Sequence, residues 1–148
     1  MIEVLETQYI PLVRIQAVKE RLVPYSRETI YKPELVVKMA NKIIGNADKE
    51  YVLVVTVDSK CHVNSIEVVA VGGLDFAYIQ PREIFKNAIN SNAYGIIILH
   101  NHPSGSLEAS ESDIALTRRM KEVGNILGIR LLDHIVMGDD ENFISIME

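Results

Sequence analysis

The sequence has a single cysteine, no tryptophan and only three phenylalanines among its 148 residues, and each scarcity closes off a class of protein. With Cys61 alone, an intramolecular disulfide is impossible. A thiolate zinc finger is excluded as well, because it needs at least two cysteines. A zinc nucleoside deaminase, which pairs a Cys-x-x-Cys with a His-x-Glu, fails on the same count. Long apolar runs are also missing: YVLVVTV is typical of the longest, far short of the ~20 residues that cross a bilayer. The opening MIEVLETQYI lacks the basic, apolar and small-residue succession of a secretory leader, so a reducing cytoplasm is the expected compartment. Positive charge is in deficit, with 15 Lys and Arg against 20 Asp and Glu, a net charge of −5. A broad affinity for phosphate backbones or anionic membranes is not expected of such a balance.

What is present suits one domain with one core: 48% apolar residues, 24% charged, and no low-complexity tract. Residues 9–23, YIPLVRIQAVKERLV, are β-branched and interrupted by Pro11, which predicts an edge strand or extended arm. Residues 1–32 are therefore read as an N-terminal arm packed on a domain of residues 33–148, with 24–32 as the connection. Pro33 opens a helix whose stripe is Leu35, Met39 and Ile43, stopped by Gly45. Strands are predicted over 51–57 and 62–71, joined by a turn at Asp58 to Lys60 and ended by Gly72-Gly73. A helix follows from Pro81, with Ile84, Phe85, Ala88 and Ile89 at helical spacing, and then the buried strand YGIIILH ending at His100. After a small, polar loop comes a helix over 111–127 burying Leu116, Met120, Val123 and Leu127. Strands 129–137 and 143–147 close the chain around GDDEN. The order implies an α/β (α+β) domain, a mixed sheet flanked by helices.

Residues 100–113, HNHPSGSLEASESD, carry the chemistry. If His100 ends a strand, His100 and His102 point to one side of the pleat. Asp113, in the first turn of the next helix, shares that helix's inward stripe with Leu116 and Met120. Two imidazoles and a carboxylate leave one position of a tetrahedral zinc site open for water, the catalytic arrangement. A lone His-x-His is a weak signal. The inward carboxylate strengthens it, since burying Asp113 without a partner would be costly. Ser110 reads equally as a helix N-cap with Asp113 as its reciprocal partner, or as a hydroxyl facing bound substrate. Among the acids that could serve as base, Glu108 and Glu111 read as solvated loop charges and Glu67 as a solvent-facing strand residue. Glu50 stands at the mouth of a buried strand, and if that strand runs antiparallel to YGIIILH it shares an edge with His100; it reads otherwise as an ordinary strand-flanking charge. His134, on a face with Leu132 and Val136, reads as a core histidine or a partner of a ligand. His62 reads as solvated and Cys61 as inert.

HNHPSG, Ser110-x-x-Asp113, DIALTRR and LLDHIVMG together resemble the RadC family of the JAB/MPN metalloprotease clan. The clan pattern is a Glu, then His-x-His, ten residues, and Asp. Here PSGSLEASES supplies the ten. The likeness runs from about Glu50 to Met147, and PLVRIQAVKERLV is similar to the leader of short RadC-like proteins. The resemblance implies an MPN/JAB-like (cytidine-deaminase-like) fold with zinc on His100, His102 and Asp113. It also implies a general base at Glu50, an oxyanion contact from Ser110, and peptide or isopeptide bonds in a protein as substrate. Three features depart from the family: no helix-hairpin-helix region is present, Ala109-Ser110 replaces Pro-Ser, and Gly72-Gly73 replaces Gly-Thr. The competing function is a DNA-repair-associated or mobile-element accessory role with a structural or vestigial metal. Its support is a basic run, Arg118, Arg119 and Lys121, which otherwise reads as a solvated helix face.

Overall fold

The computed structural model describes residues 6–25, 31–73 and 78–147. Eight elements follow in order: α1 (Pro33–Ile44), β1 (Glu50–Val57), β2 (Val63–Gly72), α2 (Pro81–Asn90), β3 (Gly95–Asn101), α3 (Glu111–Leu127), β4 (Arg130–Met137) and β5 (Phe143–Ser145). The strands form one five-stranded sheet in the order β2-β1-β3-β4-β5. Pairing is antiparallel throughout except between β3 and β4, so the sheet is mixed, as its α/β pattern predicts. The parallel β3–β4 pair needs a crossover, and α3 supplies it. Among the described residues no helix is long and apolar enough to cross a membrane.

Two cores lie on opposite faces of the sheet. On one face α1 contributes Val36, Val37, Met39 and Ala40 against Leu53, Val55, Ile97, Leu99 and Ile135. On the other, Ile84, Phe85 and Ala88 of α2 and Leu116 and Met120 of α3 cover Val52, Val54, Ile96 and Ile98. Strand β3 runs between these layers and is buried along its whole length, which explains its unbroken apolar run. Each of its fully buried aliphatic side chains contributes roughly 1.5–3 kcal/mol relative to exposure. His100 therefore sits at the end of the most covered strand in the fold.

Several details differ from expectation. The buried stripe of α1 is centred on Val36, Met39 and Ala40, while Leu35 and Ile43 are only partly covered. Leu127 and Ile89 are exposed, because each helix end overhangs the sheet. Of the edge strand or extended arm expected over 9–23, no strand is formed, and residues 6–22 are exposed. Tyr9, Ile10, Leu12 and Val13 are exposed, as are Ile15, Val18 and Leu22. Among the described residues of the arm and its connection, Val23, Tyr25 and Tyr31 reach the α1-side core. A β-branched pattern gives a segment strand potential, but a neighbouring edge must take up its backbone groups, and residues 6–22 have none. Residues 1–5 and 26–30 of the arm and its connection lie outside the described residues.

Candidate metal centre

The centre is built where β3 ends and α3 begins. His100 is the penultimate residue of β3, and His102 follows one residue beyond the strand. Its backbone N–H still donates to the Met137 carbonyl of β4 at 2.9 Å, so the strand direction persists and both imidazoles face α3. The loop then turns within Pro103–Gly105, with Gly105 N–H donating to the His102 carbonyl at 2.9 Å. Gly105 has φ +82°, and a Cβ there would lie closer than 3.0 Å to the Asp139 carboxylate, so glycine is required where the two loops meet.

Asp113 arrives as the third residue of α3. The Ser110 hydroxyl accepts the Asp113 N–H at 3.1 Å, and the Ser110 N–H donates to Asp113 Oδ2 at 2.8 Å, a complete capping box. Capping thus fixes the carboxylate. The helix turn aims it inward, where it is 1% exposed.

Two imidazole nitrogens and the two oxygens of one carboxylate converge. His100 Nε2 lies 3.1 Å from His102 Nε2 and 3.2 Å from Asp113 Oδ1, and His102 Nε2 lies 3.3 Å from Asp113 Oδ2. Tetrahedral coordination with bonds of about 2.0–2.1 Å sets its donors about 3.3 Å apart, so the spacing fits a metal ion. The proton positions fit as well. His102 Nδ1 is 2.9 Å from the Ser106 carbonyl, which can only accept, so Nδ1 carries the hydrogen and Nε2 of the neutral ring presents its lone pair. His100, His102 and Asp113 are the candidate metal-holding group among the described residues. Burial opposes ionisation of Asp113, but the close approach of His100 and the hydrogen bonds from Ser110 outweigh it and hold the carboxyl well below the usual range.

His134 completes the buried polar layer. It is fully buried, with Nε2 2.8 Å from His100 Nδ1 and Nδ1 2.6 Å from the Thr117 hydroxyl. Burial, reinforced by the neighbouring His100, pushes its pKa down to about 3. The sequence pattern placed His134 on a face with Leu132. Instead the β3–β4 register slips between Ile96↔Leu131 and Ile97↔Asp133, so Leu132 packs on the α1 side while His134 turns toward α3. Asp133, on the α1 side, accepts from the Tyr31 hydroxyl at 2.8 Å, from the His134 N–H and from the Ser145 hydroxyl, a structural tie.

Strand β1 does run antiparallel to β3, with Val52 opposite His100, so Glu50 begins β1 at the same end of the sheet. Sequence spacing missed Asn101. Its Oδ1 accepts the Tyr51 N–H at 2.6 Å and its Nδ2 donates to the Lys49 carbonyl at 2.9 Å, bracketing Glu50 on both sides. Its position inside H-N-H was the available signal. Glu67 is not the solvent-facing residue expected. It pairs with Val54 on the helical face of β2, its Oε1 is buried without a hydrogen bond, and burial raises its pKa. Glu108 and Glu111 are exposed, and His62 is half-buried near Asp58 at 3.6 Å. Ser110 is exposed beside the cluster. A cleft of about 360 Å³ opens on the α1 side of the same sheet end. It shares His102 with the centre and is otherwise lined by Asn46, Asn101, Met137 and the Asp139–Glu141 loop.

A family model for the RadC-like JAB domain matches residues 30–148. A UPF0758 protein of Desulfitobacterium hafniense is 41% identical over 125 residues, 84% of this chain and 55% of that protein. Another, from Caldanaerobacter subterraneus subsp. tengcongensis, is 39% identical over 120 residues, 81% of this chain and 51% of its own length. A third, from Pelobacter propionicus, is 44% identical over 100 residues, 68% of this chain and 43% of that protein. The chain spans about half the length of the curated relatives it matches. The convergent His-His-Asp group at the strand–helix junction and the match over residues 30–148 agree: the chain belongs to the RadC-like JAB domain family.

Proposed function

We propose that this chain is a zinc-dependent hydrolase that cleaves an amide-type bond in a peptide or protein. The observation that carries the reading is the approach of His100 Nε2, His102 Nε2 and Asp113 to edges of 3.1–3.3 Å. Three ligands of this kind, with His102 and Ser110 on the solvent side, match the open arrangement of catalytic rather than structural zinc. Bound zinc would supply Lewis acidity toward a carbonyl and lower the pKa of water toward ~7.

The chain's own residues supply the proton traffic. Glu50, held at the sheet end by Asn101, takes a proton from the attacking water and passes it to the leaving nitrogen as the C–N bond breaks. The Ser110 oxygen accepts from Asp113 N–H, which leaves its own hydrogen to donate to the developing oxyanion. The nucleic-acid reading draws little support, since Arg119 of the basic run donates to the Ile79 carbonyl.

The test combines metal analysis with turnover of a panel of peptide and isopeptide-linked fluorogenic substrates. Wild type should hold one zinc per chain and cleave a member of the panel. His102→Ala should lose the metal, and Glu50→Gln should keep it while activity falls by about 10²–10⁴-fold. Wild type that binds zinc no better than His102→Ala refutes the site. Glu50→Gln turning over at the wild-type rate refutes the base.

A further inference from the structure

We propose that Thr117 and His134 are positioning residues whose hydrogen bonds set the protonation pattern of His100, presenting its Nε2 lone pair to a divalent metal. The inference rests on the metal-centre reading above and adds residues outside the ligand set. The Thr117 hydroxyl stands at 2.9 Å from the Asp113 backbone carbonyl and 2.6 Å from His134 Nδ1. A carbonyl can only accept, so the hydroxyl hydrogen goes to Asp113 and the Thr117 oxygen is left to accept from His134. His134 therefore carries its hydrogen on Nδ1. In the neutral ring Nε2 is then an acceptor, and the group opposite it at 2.8 Å is His100 Nδ1, which must donate. With its hydrogen on Nδ1, neutral His100 has an unprotonated Nε2, the atom facing His102 and Asp113.

The relay runs from α3 through β4 to β3 and back to α3. Every member is buried: His100 and His134 are fully buried, and Thr117 is 8% exposed. Water is thereby kept from reversing the pattern by offering an alternative partner. The opposite direction is chemically possible in one way: the Thr117 hydroxyl donates to His134 Nδ1, His134 Nε2 donates to His100 Nδ1, and His100 Nε2–H donates to Asp113. That pattern closes the site with a proton in place of the metal. Thr117 decides between the two, because its bond to the Asp113 carbonyl draws its hydrogen away from His134. The β-bulge at Leu132 is what brings His134 onto this face.

The experiment is a zinc titration against a chromophoric chelator, together with ¹⁵N-resolved NMR of the histidine side chains in the zinc-loaded protein. Thr117→Val keeps the shape and removes the hydroxyl, and its zinc affinity should fall by about 10–100-fold. Thr117→Ser restores the hydroxyl and should recover most of it. The spectra of wild type should show hydrogen on Nδ1 of both His100 and His134. That readout needs no variant to fold, and a purely packing role for Thr117 would not dictate it. Hydrogen on Nε2 of His134 in the loaded protein overturns the relay, as does Thr117→Val binding zinc as tightly as wild type. Wild type without zinc affinity overturns the metal centre itself and the relay with it.

Discussion

Replacing Gly124 by alanine tests how tightly the α3–β4 junction is built. Gly124 lies inside α3 and is buried. Helix propensity alone makes the substitution favourable by about 1 kcal/mol. Packing opposes it, because a Cβ at this position would sit closer than 3.0 Å to the backbone carbonyl oxygen of Ile129, with Phe85 Cζ at 3.4 Å on its other side. Neither neighbour is free to retreat. The Ile129 N–H donates to the Gly124 carbonyl at 3.0 Å, the Arg130 N–H to the Tyr94 carbonyl at 3.1 Å, and Phe85 is fully buried. Overpacking of a fixed neighbour costs about 1–3 kcal/mol, and a backbone atom on one side with a core ring on the other favours the upper part of that range. The net expectation is a loss of about 1–2 kcal/mol. At about 2–4 °C per kcal/mol for a chain near this size, the midpoint should fall by about 2–8 °C. Thermal and urea unfolding of Gly124→Ala should be compared with Asn125→Ala, an exposed neighbour in the same helix. Asn125→Ala should gain a few tenths of a kcal/mol, on the order of the propensity difference. Gly124→Ala as stable as wild type would refute the packing argument.

The metal-free protein should lose stability as pH falls from about 6.5 toward 3. The unfolded His134 takes up a proton near its ordinary value of 6.5, whereas the native ring resists it down to about 3, so the unfolded state binds more protons in that window. The slope is at most about 1.4 kcal/mol per pH unit, and urea midpoints across that range should show it, with a flatter profile in His134→Gln. A pH-independent midpoint in wild type would contradict the buried neutral state. Binding to duplex DNA should vanish near physiological salt, given the net charge of −5. Retention of DNA in a gel-shift assay at that ionic strength would contradict this.

The convergence of the candidate metal-holding residues was legible in the sequence because their geometry is local. A strand's period of two aligns His100 with His102, and the helix start carries Asp113 inward at its third residue. The element order was legible for a related reason: Pro33 and Pro81 mark helix starts, and β1 and β3 read as continuous β-branched runs. His134 is the buried partner of His100 that the sequence allowed, but not on a face with Leu132, because that relation depends on a one-residue slip between two strands more than thirty positions apart. No window of sequence contains that slip. Asn101 escaped for the same cause, since its partners Lys49 and Tyr51 belong to a strand fifty residues earlier. Over 9–23 the sequence left edge strand and extended arm both open, because an apolar, β-branched pattern is only a capacity for pairing. It becomes a strand when an edge is available, and residues 6–22 contact no such edge.

A cation held by these residues beside the N-terminus of α3 would pose an electrostatic problem that Asp113 is placed to resolve. The first turn of a helix presents unpaired N–H groups and the positive end of the helix dipole, which favours anions and opposes a divalent metal. Placing the ligating carboxylate at the third helical residue meets both demands. Oδ2 accepts the Ser110 N–H at 2.8 Å, while Oδ1 faces His100 Nε2 at 3.2 Å. The dipole lowers the cost of keeping the carboxylate ionised in a buried place, and the carboxylate in turn shields the metal position from the dipole. An aspartate is short enough to do this without leaving the helix, since one fixed carboxylate takes the Ser110 N–H on Oδ2 and still sets both oxygens within 3.3 Å of an imidazole nitrogen. The helix end that would otherwise repel a metal thereby becomes the element that offers an anionic ligand, and Thr117, one turn further along α3, donates to the backbone carbonyl of Asp113 itself while standing against His134.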